Sequence, residues 1–560
     1  MVGYDEVAEV LLRGAPRVVA LEVLVGVLEA DVARLVRALR PDVEVDTRVA
    51  LKPPAEVEAM LAPELGDDRV FGFITRRHLV DFFIPSRLAE LREQVAAARG
   101  RVVVHGPGAS LVTRADRLAL LEMPRWETQA RQRAHRVGNL GLDNHDARPG
   151  ELYRRSYFVD WRVCDRHKKE IWRDVDVLVD TSCSERPVAV ARSAFERALD
   201  LTARRPFRVE PFFDPAPWGG QWMKEVCDLD RDVDNFGWCF DCVPEENTLV
   251  FGFGDARFAT PATNLVFQRP RELLGEGVFG RFGDEFPIRF DFLDTVAGGN
   301  LSLQVHPLTR YIQENFGVAY TQDESYYLLD TDAGASVYLG VRPDADPAAM
   351  AADLRAADDG GAPFLDERHV NRFPARRHDH FLIPAGTVHC SGRDALVLEI
   401  SATPYIFTFK LWDWGRLGLD GEPRPIHLDH GLANVQWERD EDYARGRLVN
   451  RVAPVRAGDG WREERTGLHE AEFIETRRHW FTAPVLHQAY DRVNVLNLVQ
   501  GREARVESPD RAFEPFTVHF AETFIVPAAA GPYRIRPVAP EPHSPELATI
   551  KAFVRDAACD

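Results

Sequence analysis

The stretch GGNLSLQVHPLTR, residues 298–310, combines the pattern of a buried strand with two side chains that can bind a metal. Because successive side chains of a strand point to opposite faces, Ser302, Gln304 and His306 share one face, and the other face is apolar. An amide oxygen and an imidazole are both capable metal ligands. The alternative for an isolated Q-x-H is a polar strand edge that faces solvent, so the rest of the chain must decide.

Two later stretches carry further side chains of the kinds that bind metals. In YTQDESYYLLD, residues 320–330, Gln322 and Glu324 share one face of a predicted strand. In HDHFLIPAGTVHCSG, residues 378–392, a Pro-Ala-Gly turn separates two strands and His389 lies on the second. Two histidines, a glutamine and a glutamate inside one barrel would give Zn²⁺ four ligands and leave a position open for substrate. Each residue alone is weak evidence, because a single strand histidine is usually a core residue and a single glutamate is usually solvated.

Four segments, LSLQVHP, TQDESYYLL, IPAGTVH and KLWDWGR, follow one another in the order found in type I phosphomannose isomerases. The chain resembles this family closely over about residues 206–430 and loosely over 431–560. Members of the family are zinc-dependent cupin enzymes that interconvert mannose 6-phosphate and fructose 6-phosphate. The resemblance therefore implies a cupin fold, a small-molecule sugar-phosphate substrate and one Zn²⁺ per chain.

The resemblance also implies roles for individual residues. The implied metal ligands are Gln304, His306, Glu324 and His389. The implied catalytic residue is Arg416 in DWGR, for which a surface ion pair is the alternative. The candidate substrate-binding residues are Ser302, Gln322 and Lys410. Lys410 aligns with a basic position of the family and could hold a phosphate, or it could simply pack at the barrel rim.

The chemistry of aldose–ketose isomerisation agrees with these residue types, although two positions depart from the family pattern. The reaction moves hydrogen between C1 and C2 through an enediol-type intermediate, and a divalent cation and a fixed guanidinium both stabilise its negative charge. Gln322 stands where the family usually has a lysine, and so does Asp291 in FPIRFDFLDT. Glutamine can form hydrogen bonds but carries no charge. The sequence therefore leaves the exact sugar phosphate and the proton-transfer group open.

Residues 1–205 alternate buried strands with helical segments, which predicts an α/β domain. The stretch VVALEVLVGVLEADVARLVRAL, residues 18–39, has the strand–loop–helix layout of a P-loop kinase. Gly26 is in place, but Glu29 stands where the phosphate-binding lysine should be. The basic segment 144–172 resembles the lid of nucleoside-kinase-like domains, or it is a solvated basic face. We therefore expect a degenerate P-loop kinase-like domain with a structural or regulatory role.

Bulk composition excludes several classes of partner. The 560 residues carry a formal net charge of −19, which argues against nucleic acid or an anionic membrane surface as the main partner. No apolar stretch approaches the roughly 20 residues that span a bilayer. The N-terminus lacks the basic start of a secretory signal, and the seven cysteines are scattered. We expect a cytoplasmic protein; the sequence does not indicate its oligomeric state.

Taken together, the sequence predicts a multidomain chain in which a P-loop-like α/β domain precedes all-β cupin domains of the jelly-roll type. The expected boundaries are 1–205 for the α/β domain, 206–430 for the metal-binding cupin and 431–560 for a second, metal-free cupin-like domain. The favoured function is a zinc-dependent isomerase of mannose 6-phosphate and fructose 6-phosphate or a related sugar phosphate. The alternatives are a non-catalytic metal-containing protein that senses a sugar or nucleotide, and another cupin activity such as an iron oxygenase.

Overall fold

The computed structural model describes residues 1–404, 406–467, 469–538 and 546–555. The chain forms two compact units. One comprises Met1–Leu201 and Glu245–Phe267, and the other comprises Thr202–Pro244 and Gln268–Asp560. The first unit thus includes residues 245–267, which the sequence analysis placed in the middle region.

The first unit contains helices and strands in alternation. Its helices are α1 Tyr4–Leu11, α2 Glu29–Leu39, α3 Pro54–Leu65, α4 Pro85–Ala97, α5 Ala109–Val112, α6 Arg125–Arg133, α7 Pro149–Arg155, α8 Trp161–Ile171 and α9 Arg192–Thr202. Its sheet strands are β1 Val18–Val23, β2 Val43–Asp46, β3 Val102–Gly106, β4 Arg117–Glu122, β5 Val177–Asp180 and β6 Val188–Ala191.

The six strands form one sheet in the order β2-β3-β1-β4-β5-β6, and only β6 runs antiparallel to its neighbour. Parallel strands are covered on both faces, which is why β1 is a nearly uninterrupted apolar run. Helix α2 presents Val32, Leu35, Val36 and Leu39 to the core at helical spacing. The α/β alternation of the sequence is therefore present as a parallel sheet.

The second unit is predominantly β-structure. Its first strands are β7 Phe212–Asp214 and β8 Trp238–Cys242; the hairpin β9 Thr248–Phe253 and β10 Ala256–Pro261 that follows them along the chain belongs to the first unit. The remaining strands of its first half are β11 Ile288–Asp294, β12 Leu303–Val305, β13 Glu324–Thr331, β14 Ser336–Val341, β15 Val370–Pro374, β16 His380–Ile383, β17 His389–Ser391, β18 Ala395–Ala402 and β19 Phe409–Trp412. The helices from here on are α10 Trp222–Val226, α11 Thr263–Gln268, α12 Pro270–Leu274, α13 Glu276–Phe282, α14 Thr309–Phe316, α15 Pro347–Asp358, α16 Asp366–His369, α17 Leu428–Leu432 and α18 Glu441–Tyr443.

The strands of this first half form two sheets, which we call together the first barrel. Their orders are β16-β13-β18-β11-β8-β7 and β15-β14-β17-β12-β19. Strand β12 lies between β17 and β19, where Gln304 pairs with both His389 and Lys410. Ser302, Gln304 and His306 are all buried, at 2%, 6% and 1% exposure, so this stretch is not a polar edge facing solvent.

The C-terminal strands form a second pair of sheets, called here the second barrel. They are β20 Ala453–Gly458, β21 Trp461–Gly467, β22 Ile474–Phe481, β23 Val485–His487, β24 Asn494–Gln500, β25 Glu503–Glu507, β26 Phe516–His519, β27 Thr523–Val526, β28 Tyr533–Pro537 and β29 Leu547–Val554. The two sheet orders are β20-β21-β22-β29-β24-β27 and β23-β28-β25-β26, and residues of both contribute to one apolar core. Among the described residues, no helix combines the length and the apolar character needed to cross a membrane.

Candidate functional site

Three buried side chains meet inside the first barrel. His306, Glu324 and His389 each offer one ligand atom, and these atoms lie within 4.8 Å of one another. The Nε2 of His306 is 3.1 Å from Glu324 Oε2, and the Nε2 of His389 is 2.8 Å from Glu324 Oε1. Glu324 begins β13 in one sheet and His389 begins β17 in the other, so both sheets of the barrel contribute.

The donor set fits a cation. His306 Nδ1 lies 3.1 Å from the carbonyl oxygen of Phe407, and His389 Nδ1 lies 2.8 Å from that of Thr387. Each imidazole therefore donates through Nδ1–H and directs the lone pair of Nε2 toward Glu324, as metal-binding histidines do. His306 Nε2 and Glu324 Oε1 have no hydrogen-bond partner among the described residues. The Nε2 lone pairs of His306 and His389 and the carboxylate of Glu324 are all acceptors. They converge without a shared donor, so they repel one another unless a positive ion lies between them.

The charge on Glu324 supports this fit. Burial by itself raises the pKa of the Glu324 carboxyl, but positive charge on the neighbouring His306 and His389 holds the pKa well below its usual value, and a bound cation supplies that positive charge when the two rings are neutral. The group is therefore a carboxylate, the form that binds a metal.

Gln304 lies on the same side of the cluster. Its amide nitrogen is placed 3.2 Å from His389 Nε2. Because the nitrogen and oxygen of a glutamine amide are assigned from their hydrogen bonds, rotation of the amide by about 180° presents the oxygen instead. Gln304 can therefore serve as a fourth ligand, as the sequence predicts.

The turn before His389 is tied to the rest of the site. The Gly386 backbone N–H donates to the carbonyl oxygen of His306 at 3.0 Å. Gly386 has a φ of +88°, and a Cβ there would lie 2.9 Å from the carbonyl oxygen of Asn434, so glycine is required. The buried Arg439 guanidinium donates to the oxygens of Pro384, Ala385 and Thr387. The Pro-Ala-Gly turn read from the sequence thus holds both histidine-bearing segments in one arrangement.

Metal removal should destabilise the second unit. Extraction with a chelator leaves the two imidazoles and the carboxylate facing one another without a cation. Conversely, free Zn²⁺ at a thousand times its Kd should add about 4 kcal/mol to the free energy of unfolding. We expect calorimetry to show a lower Tm after chelation and its recovery on adding Zn²⁺. A Glu324→Ala variant is the control and should not respond; an unchanged Tm in the wild-type protein would contradict the site.

Gln322 contacts the site from the side of Glu324. Its amide donates to Glu324 Oε2 at 2.8 Å and to Glu399 Oε1 at 3.3 Å. Glu399 also pairs with the buried Arg289, which lies 2.8 Å from Asp291 Oδ2. The two positions that depart from the family pattern, 322 and 291, therefore belong to one buried network behind the ligand carboxylate. In this arrangement both hydrogens of the Gln322 amide are engaged by carboxylates.

Glu399 is a site residue that the sequence analysis missed. It is 2% exposed in β18, and burial together with the charge of Glu324 raises the pKa of its carboxyl. Ser401 Oγ donates to the same carboxylate at 2.9 Å. A signal was present, since a single glutamate interrupts the apolar run ALVLEI, which an uninvolved core strand would not carry.

Lys410 and Ser302 lie beside the metal ligands. Lys410 is the cross-strand partner of Gln304, so the two side chains share a face of the sheet. Burial, with help from Arg424 and Arg416, lowers the pKa of Lys410 to about 8. Ser302 is buried at the start of the same strand segment. Of the predicted substrate-binding residues, Lys410 supplies the positive charge.

Arg416 is held in an ion pair. Its guanidinium pairs with Asp413 and donates through Nη1 to the carbonyl oxygen of Asn300 at 2.6 Å. Arg424 pairs with the other oxygen of Asp413. This ion pair is largely buried and not the surface pair considered as the alternative, and together with the bond to Asn300 it fastens Arg416 to the segment that leads into β12.

Two other histidines near the second ligand segment have structural roles. His378 donates through Nε2 to Gln500 Oε1 at 2.9 Å and accepts at Nδ1 from the Tyr327 hydroxyl at 2.8 Å. His380 Nδ1 lies 3.2 Å from the carbonyl oxygen of Thr466. Both rings thus connect the first barrel to strands of the second.

The first unit has a cavity of about 1110 Å³ at the carboxyl ends of its strands β1, β2 and β3. Glu29, at the start of α2, forms an ion pair with Arg48, which also lies 2.7 Å from Asp46 Oδ2. A Cβ added at Gly26 would lie 2.4 Å from Thr128 Oγ1. The cavity occupies the position where open α/β sheets bind ligands, but its helix start carries an acid that is already paired.

Fold and site together define a cupin-like protein with a candidate metal centre, and comparison with known proteins agrees over part of the chain. A mannose-6-phosphate isomerase of Streptococcus mutans is 25% identical over 218 residues, covering 38% of this chain and 63% of that protein. Mannose-6-phosphate isomerase ManA of Bacillus subtilis is 31% identical over 162 residues, covering 28% of this chain and 47% of that protein. The chain therefore spans less than two thirds of these relatives' length.

Similarity also extends to a solved structure and, for the N-terminal residues, to a family model. The crystal structure of the mannose 6-phosphate isomerase from Bacillus subtilis matches with a TM-score of 0.52 at 18% identity, over 62% of this chain and all of that one, which shows a shared fold. Residues 3–204 match a family model described as a domain of unknown function, DUF8485.

Proposed function

We propose that the chain is a zinc-dependent aldose–ketose isomerase that interconverts mannose 6-phosphate and fructose 6-phosphate, or a related pair of sugar phosphates. The observation that carries this proposal is the buried convergence of His306, Glu324 and His389, with Gln304 beside them and Lys410 across the strand. The two curated relatives are both named mannose-6-phosphate isomerase. One Zn²⁺ per chain is part of the proposal.

The protein residues would hold the metal and the substrate in a fixed relation. When bound, a divalent cation supplies positive charge that polarises the sugar oxygens. Gln304, His306, Glu324 and His389 are the proposed ligands, and Gln322 orients the Glu324 carboxylate through its 2.8 Å hydrogen bond. Because the ligand set contains one carboxylate, the occupied site keeps a net positive charge.

Three cations are available for the phosphate. Lys410, Arg416 and Arg424 surround the single carboxylate of Asp413, which pairs with both arginines. These three cations and one carboxylate thus carry an excess of positive charge next to the face that carries Gln304. We infer that Lys410 binds the phosphate and that Arg416 helps to stabilise negative charge on the reacting oxygens.

Glu399 is the proposed positioning residue behind the site. Its carboxyl is buried within the network that reaches Glu324, and burial together with the charge of Glu324 raises its pKa. In this role it holds the Gln322 amide, which in turn orients the Glu324 carboxylate. Arg289 and Ser401 hold the carboxyl in place.

The second candidate function is a non-catalytic protein that senses a sugar or a nucleotide. Gln322 and Asp291, which replace family lysines, are the observation in its favour. An iron oxygenase is less suited to the site, because Gln304 occupies a position that such enzymes leave open for oxygen.

A coupled assay on mannose 6-phosphate, with and without chelator, tests the proposal. We expect turnover that is lost with chelator and regained with Zn²⁺. A protein that retains one equivalent of metal but shows no turnover with mannose 6-phosphate or related sugar phosphates would overturn the isomerase proposal in favour of the sensor.

For the first unit we propose a degenerate P-loop kinase-like domain that does not bind nucleoside triphosphates. Glu29 stands at the phosphate position and is neutralised by Arg48, so the loop offers no cation to a phosphate. We expect Mg·ATP at millimolar concentration to leave the Tm and the heat of titration unchanged. Zn²⁺ serves as the positive control in the same assay, and saturable ATP binding would contradict the prediction.

A further inference from the structure

The interior of the second barrel contains a cluster of histidine and basic side chains that the proposed isomerase site does not use. We call it the basic cluster; its members are Glu463, Arg477, His479, His487, Thr549 and Lys551. Glu463 and Thr549 are the cross-strand partners of His479, and Lys551 is the partner of Arg477, so these five share one face of the sheet. His487 comes from the opposite sheet, and its ring centre lies 4.3 Å from that of His479.

Several polar atoms of the basic cluster are buried without a partner. His479 and His487 are both fully buried. His479 Nε2 lies 3.3 Å from Glu463 Oε1, but its Nδ1, both ring nitrogens of His487 and Thr549 Oγ1 have no hydrogen-bond partner among the described residues. Each such group destabilises the fold if it stays unsatisfied. Buried polar atoms of this kind usually contact a water or a ligand.

The charges of the cluster are unbalanced. Glu463 is engaged by Arg456 and by Arg477 at 3.1 Å, and Glu475 is engaged by Arg465 and Arg477. Both carboxylates are therefore used by guanidinium groups. The Lys551 side chain is 2% exposed, and it forms no ion pair with a described carboxylate.

Glu463 and Glu475 attract the Lys551 ammonium through space, but neither forms an ion pair with it, so an anion bound beside Lys551 would stabilise its charge further. Burial lowers the pKa of Lys551 to about 8, so the side chain remains mostly charged at neutral pH. The surplus of positive charge disfavours a metal ion at this place. Among the described residues, the geometric pattern of a metal site is found in the first barrel and not here.

We propose that the interior of the second barrel binds a small oxyanion of the phosphate class, held by the ammonium of Lys551 and by a ring N–H group of His487, since the N–H of a neutral His479 faces Glu463. Imidazole N–H and ammonium groups are strong donors to phosphate oxygens. Thr549 can contribute a further hydroxyl. This site is separate from the proposed isomerase site and does not depend on it. Its ligand is either free phosphate or the phosphate group of a sugar phosphate.

Calorimetric titration of the full chain with inorganic phosphate tests the proposal. The variants are Lys551→Met in the basic cluster, Arg502→Met at an exposed position of the same barrel, and Lys410→Met in the first barrel. We expect Lys551→Met to weaken one phosphate-binding event by at least about tenfold, while the other two variants retain it. Because Lys551→Met removes an unpaired buried charge, its Tm without phosphate should equal or exceed that of the wild type.

Two further measurements complete the test. Competition by mannose 6-phosphate in the Lys410→Met variant identifies a sugar phosphate as the source, and its absence identifies free phosphate. If Lys551→Met does not fold, His487→Phe keeps the ring that stacks on Tyr533 and should show the same loss of phosphate binding. Equal phosphate binding in wild type, Lys551→Met and His487→Phe, or phosphate-soaked crystals with only water beside Lys551 and His487, would overturn the proposal.

Discussion

We expect the replacement of Glu324 with alanine to abolish metal binding and, with it, the proposed isomerase turnover. Glu324 is the one carboxylate between the two imidazoles, at 3.1 and 2.8 Å from their Nε2 atoms. Its removal takes away the negative charge that offsets the cost of bringing a dication into the barrel. We expect metal affinity to fall by more than about 100-fold, beyond the loss typical of outer partners of a metal site. Metal content after dialysis and turnover of mannose 6-phosphate are the measurements.

The matched control is Glu314→Ala, which removes an exposed glutamate of α14 that pairs with Arg310. A fully exposed ion pair of this kind contributes little to stability, so metal content and turnover should stay at wild-type levels. The Glu324→Ala variant should have the Tm of the metal-depleted wild type, which separates metal loss from misfolding. Wild-type turnover in Glu324→Ala would end the isomerase proposal.

We expect the replacement of Lys410 with methionine to raise the KM for the proposed sugar-phosphate substrate while the metal stays bound. Methionine keeps the apolar stem but lacks the ammonium next to Gln304. A hydrogen bond to a charged group contributes about 1.5–3 kcal/mol, which corresponds to a fall in kcat/KM of roughly 10- to 150-fold. Steady-state kinetics and metal analysis on the same preparation provide the test.

The comparison with unphosphorylated mannose decides what Lys410 does. If Lys410 binds the phosphate, the substitution should leave any slow turnover of mannose unchanged. If it only packs at the barrel rim, the Tm should fall and the KM for the sugar phosphate should not move. Lys410→Arg is the conservative variant and should recover part of the lost kcat/KM, because it restores the positive charge.

The sequence by itself determined which side chains share a face. The period of two in LSLQVHP places Gln304 and His306 together, and the residues of the IPAGTVH turn determine that a tight bend precedes His389. The α/β character of the N-terminal residues likewise follows from their alternating strand and helix patterns. These features depend on neighbours within a few residues, and local chemistry is enough to specify them.

Only the tertiary structure decided which faces meet. Gln304 and His389 are 85 positions apart and become direct partners through the register of β12 and β17, which no local pattern encodes. The same long-range pairing sets Glu399 against Gln322 and pairs Arg416 with Asp413 beside the segment before β12. It also buries Lys551 in the second barrel, where it forms no ion pair with a carboxylate of the described residues. The physical reason is that periodicity fixes the direction of a side chain, whereas charge balance and metal geometry depend on strands brought together from distant parts of the chain.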